Sequence, residues 1–127
     1  MPTAVTEGIR VTVDAAYLPD RSAPDEGTYA FAYTVTIANE SAPRAQLRRR
    51  HWIITDGNGH VEEVEGPGVV GQQPVLDPGE EHRYTSGAVL ATPVGTMEGT
   101  YEMREESGRT FHVRIPRFAL QVPGILQ

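Results

Sequence analysis

The chain has 127 residues, of which 39% are hydrophobic and 22% charged, proportions that suit one globular domain spanning residues 1–127. It has no cysteine, and all 11 basic residues are arginine, which excludes disulfides, thiolate chemistry, Schiff-base lysines and a phosphate-loop lysine. A net charge of −6 argues against nucleic acid as a partner, and no apolar run reaches the ~20 residues needed for membrane insertion.

Met1 to Glu7 has neither a basic start nor an apolar stretch, so a cytoplasmic location is the expectation. Ile9 to Val13 alternates apolar and polar residues, the pattern of a half-buried strand that runs on toward Tyr17. Pro19 to Gly27 is a loop of turn formers. Thr28 to Asn39 follows as the clearest strand, with Tyr29, Phe31, Tyr33, Val35 and Ile37 on one face. A third strand, Gln46 to Asp56, is centred on Trp52. The Asp56-Gly57-Asn58-Gly59 turn then returns the chain through His60 to Glu65.

After a glycine-rich loop, Pro78-Gly79 turns into a strand at Glu81 to Ser86. Met97 to Met103 and Phe111 to Ile115 alternate along two more strands, and Phe118, Leu120 and Val122 continue at period 2 in a tail broken by prolines. No segment keeps a helical apolar period for three turns.

Seven or more short strands separated by turns predict an all-β fold, an immunoglobulin or fibronectin type III-like antiparallel β-sandwich. Trp52 stands where such sandwiches place a core tryptophan. Tyr101 resembles their tyrosine corner, with Met103 in the slot of a half-cystine.

The loop Gly66-Pro67-Gly68-Val69-Val70-Gly71 has the letters of a dinucleotide-binding fingerprint. Such glycines work by passing into a helix whose N-terminus faces the phosphates. Here Pro74, Pro78 and Gly79 forbid that helix, so the loop reads as a shaped connection with Val69 and Val70 turned toward the core. No cofactor is expected.

Metal ligation has weak candidates in His60, Glu62 and His82, which lack any recognised ligand spacing. Arg48-Arg49-Arg50-His51 is the one basic cluster. On a strand its members point to alternate faces, solvated or bonded to nearby carboxylates. The serines lie in or beside turns without a nucleophile-elbow sequence, so no catalytic residue is assigned.

Several stretches together resemble the bacterial ApaG (CorD) family: His51 to Gly59, Val64 to Pro74, Leu76-x-Pro78-Gly79-Glu80, Tyr84 to Gly87, Thr92 to Tyr101 and Ile115 to Leu120. The resemblance implies a fibronectin type III-like sandwich. It also implies a link to cobalt resistance and magnesium efflux, and an interaction role like that of similar domains in larger eukaryotic proteins. The reading is therefore a non-enzymatic binding module with a protein partner still to be identified. The Gly66–Gly71 loop and a tail carrying Phe118, Leu120 and Val122, extending to Leu126, are the candidate contact surfaces; the alternative, which the prolines and apolar residues favour, is that the tail covers a sheet edge and its apolar residues join the core. Open sheet edges also allow a homo-oligomer.

Overall fold

A computed structural model describes residues 1–124. The chain folds as two antiparallel sheets packed face to face, as expected of a sandwich. One sheet runs in the order β1 (Thr3–Thr6), β2 (Ile9–Tyr17), β3 (Tyr29–Asn39), β7 (Glu81–Leu90). The other runs β5 (Val61–Pro67), β4 (Ala45–Asp56), β8 (Val94–Glu105), β9 (Thr110–Gln121), with the short β6 (Val75–Leu76) also pairing β4. Two 3₁₀ turns, Pro19–Arg21 and Pro24–Glu26, are the helical pieces among the described residues.

Alternation along β2 and β3 delivers Val11, Val13, Phe31, Val35 and Ile37 to the interior, each 1% exposed or less. Trp52, 2% exposed, lies at the centre, as its place in the sequence suggests. Its indole meets Tyr33 and Phe118 edge-on at centroid distances of 5.2 and 5.9 Å, arrangements that favour aromatic pairs.

The structure adds an N-terminal strand, β1, that periodicity over so short a segment does not reveal. It also extends the strand predicted at Glu81–Ser86 through Gly87 and Ala88 to Leu90, paired along its length with β3.

Two irregularities set which side chains face inward. On β4 the register slips at Arg48, an extra residue opposite the step from Met103 to Glu102. Ala45 and Leu47 point inward before the bulge, and Trp52 points inward after it, an odd spacing that an unbroken strand cannot give. On β9 the slip falls at Pro116-Arg117, opposite Glu98. Pro116 has no N–H to contribute to the ladder, and a bulge is where a strand tolerates that.

This β9 bulge corrects the partner-tail reading. Phe118 and Leu120 are 4% and 0% exposed, and Val122 packs partly buried on the same core. They fill the interior instead of presenting a surface. The part of that tail from Ile125 onward lies outside the described residues.

Tyr101 is also not a tyrosine corner. Its hydroxyl meets the Tyr84 hydroxyl of the opposite sheet, whereas a corner bonds back to the backbone just upstream. Met103 is fully buried.

Candidate functional site: a groove between two free edges

The two sheets meet differently along their two sides. On one side β9 packs against both β1 and β2. There the Arg114 amide donates to Thr6 Oγ1 at 3.1 Å, and Arg109 Nη2 reaches Glu7 Oε1 at 2.7 Å. On the other side stand β5 and β7, each laddered on one flank only.

Between these last two edges the sandwich opens into a groove of about 360 Å³. Trp52, Ile54 and Met97 form its floor, and Val64 and Val89 its lips, 36% and 66% exposed. It continues into a recess of about 180 Å³ through Ile54, Glu62 and Val89, which line both. Asp56 and His60 stand at that far end.

Arg50 occupies the other end. The Arg48 bulge shifts the phase of β4 so that Arg50 follows the inward face of Trp52 and Ile54. Its Nη1 donates to the carbonyls of Pro67 and Gly68, both at 3.0 Å. The guanidinium lies flat over Gly66, where an added Cβ would stand 3.0 Å from Nη1 and 3.1 Å from Nη2.

Three core tyrosines sense this charge. Burial pushes the hydroxyls of Tyr33, Tyr84 and Tyr101 above the usual phenol range, and the Arg50 charge opposes that rise in each. Among the described residues, Arg50 has no carboxylate partner, and its Nε and Nη2 make no hydrogen bond within the chain.

Gly66 makes room for Arg50, and Gly68 has φ +64° with the Gln72 carbonyl so close that a side chain would collide with it. Val69 and Gln72 then exchange backbone hydrogen bonds at 2.8 and 3.0 Å across a tight turn. Its central residues, Val70 and Gly71, have φ +47° and +76°. No helix follows, because the chain passes directly to β6. The Gly68 and Val69 amides already donate to Arg48 and Gln72. Val69 is buried as expected, but Val70 is 63% exposed, a correction that the turn geometry requires.

His60 and His82 do not converge. His60 stands near Leu90 at one end of β7, while His82 opens the other end of that strand, stacked on Tyr84 at 6.3 Å. At ~3.3 Å per residue His82 and Leu90 are roughly 26 Å apart along β7. Among the described residues no group of three or more His, Asp or Glu could hold a metal ion. Glu62 instead lines the groove.

In the basic cluster, His51 Nε2 lies 2.9 Å from Glu63 Oε1 and its Nδ1 4.0 Å from Glu65 Oε1. This matches the expected bonding to nearby carboxylates. Counted back from Trp52, alternation puts Arg50 on the inward face, whereas counted forward from Leu47 it turns Arg50 outward. The signal was the odd separation of Leu47 and Trp52, which demands a bulge between them.

The family model of the ApaG domain matches residues 19–105. The chain is 56% identical to a protein ApaG of Pseudomonas aeruginosa over 118 residues, covering 93% of this chain and 94% of that protein. It is 54% identical to a protein ApaG of Methylocella silvestris over 123 residues, with 97% and 95% covered. A crystal structure of the ApaA protein from Bordetella pertussis is 49% identical and superposes with a TM-score of 0.90 over 98% of both chains. By the domain match, by these identities and by this superposition, the chain belongs to the ApaG family.

Proposed function

We propose that this chain is a non-enzymatic interaction module acting in the cytoplasm, with an indirect part in the cobalt resistance and magnesium efflux linked to its family. The observation that supports it is the free edge of β5 beside an apolar groove. All five residues from Val61 to Glu65 are exposed, and the strand pairs with β4 alone. An unpaired strand edge presents a row of backbone donors and acceptors that a second extended segment can satisfy. The apolar groove beside it gives such a segment somewhere to bury side chains.

The test is affinity capture with the wild-type chain and with Val64→Lys, with and without added Co²⁺, alongside calorimetry of Co²⁺ and Mg²⁺. A lysine pointing into the groove blocks the edge without touching the core. Partner capture that is lost in the variant, with weak non-stoichiometric metal binding, is the expected outcome. A one-to-one metal isotherm abolished by His60→Ala would replace this reading with direct metal binding.

A further inference from the structure

We infer that the groove accepts an extended partner segment in antiparallel pairing with β5, carrying the charge order acidic, basic, apolar, basic, basic. The inference rests on the module reading above and names the chemistry of the partner. It comes from what β5 shows on each of its faces.

The register with β4 sorts the strand. Glu62, Val64 and Gly66 pair with Ile54, Trp52 and Arg50 and share their inward face. Glu63 and Glu65 pair with Ile53 and His51 and look outward. A strand added to the free flank of β5 places its own side chains directly across from these, alternately inward and outward.

Across from Gly66 there is no side chain, only the Arg50 guanidinium lying over it with Nε and Nη2 uncommitted. Charges sheltered in a groove are stable when paired, and a guanidinium pairs a carboxylate through two parallel hydrogen bonds. The segment therefore carries an acidic residue here. Across from Glu65 and Glu63, both more than 60% exposed in their side chains, it carries basic ones. Val64, on the lip, calls for an apolar residue that reaches the floor. Glu62, which has no ion-pair partner among the described residues, calls for a third basic residue. From Arg50 to Ile54 the site spans roughly 13 Å of strand, enough for five paired residues.

Every pairing within this sheet is antiparallel, the more stable ladder per residue. The segment thus reads, from its N-terminus, acidic–basic–apolar–basic–basic. A second copy of the chain paired antiparallel through β5 in this register fits less well, because it would set Glu63 against Glu65 twice, like charges directly opposite each other.

The probe is the capped peptide Thr-Glu-Arg-Val-Arg-Arg-Thr, titrated into isotope-labelled full chain and followed by amide shifts. Its control is the order-reversed peptide Thr-Arg-Arg-Val-Arg-Glu-Thr, of the same composition and charge. Saturable shifts on Val61–Gly66 and Val89, with the forward peptide about tenfold tighter, are expected from its additional matched charge pairs. N-methylation of the amides that face β5 should abolish binding, and N-methylation of the alternate set should not.

Arg50→Glu alone is a poor variant because Arg50 also fastens the loop. Glu62→Arg carries the test, since it should weaken the forward peptide and be rescued when the last arginine of the peptide becomes glutamate. Equal binding of both peptides, shifts centred on the outward His51–Glu65 face, or peptide-independent self-association through β5 would overturn the inference. If both peptides fail while Val64→Lys still removes partner capture, the charge order is wrong and the module reading stands. If capture survives Val64→Lys, that reading falls first.

Discussion

The two sides of this sandwich are built from the same material and end up with opposite properties. Along β1 and β9 the sheets are laced together by a backbone-to-threonine hydrogen bond and the Arg109–Glu7 ion pair, with Val113, Ile115, Phe118 and Leu120 of β9 buried. Among the described residues no hydrogen bond or ion pair joins β5 to β7, and Val61, Val64 and Val89 remain exposed. A terminal strand laid across a sheet edge covers it. A hairpin whose outer strand is rich in glutamate keeps its edge in water and protects it from self-pairing by charge. On the proposed reading, binding belongs to the acidic hairpin, while the apolar tail is part of the core.

The largest way to break that contrast is on the closed side. Ile115→Ala, at a fully buried position of β9, should cost about 2–5 kcal/mol in chemical denaturation, as truncation of a packed core residue does. A loss near zero would mean that β9 is not integral to the core.

A smaller effect is expected where the glycine loop supports the open side. Gly68→Ala forces a side chain into left-handed backbone and against the Gln72 carbonyl, with an expected loss of about 1–3 kcal/mol. Gly71 also has positive φ, but a Cβ there would meet nothing within 4 Å. Gly71→Ala should therefore cost less than Gly68→Ala in the same melt. The reverse order would refute the close approach at Gly68.

The smallest change sharpens the comparison most. Val64→Lys on the groove lip should alter stability by no more than about 0.5 kcal/mol, since it is a surface substitution, while removing partner capture. Melting and capture measured on one preparation separate the two sides, because Ile115→Ala should show the opposite combination at matched folded fraction.

Much of this molecule was legible in its residues. Alternation in Ile9–Val13 and Thr28–Asn39 identified strands and their buried faces, because a side-chain period of two leaves little choice when one face is apolar. The lone tryptophan marked the core, and the prolines after Gly71 are incompatible with a phosphate-binding helix there.

Alternation failed where a bulge changed its phase. Carried unbroken from Leu47, alternation turns Arg50 outward together with Trp52, and carried unbroken from Ile115 it turns Phe118 and Leu120 outward. The odd spacings from Leu47 to Trp52 and from Ile115 to Phe118 carried the correction, but a bulge shows its consequence only against the neighbouring strand.

Local sequence determined the strands, turns and composition of the core, since these depend on backbone sterics and on the period of apolar residues. Only the tertiary structure decided that Arg50 lies over Gly66 at one end of a groove and Glu62 stands at the other. That placement depends on which strands become edges and on how two sheets align, and both are settled by packing between residues far apart in the chain.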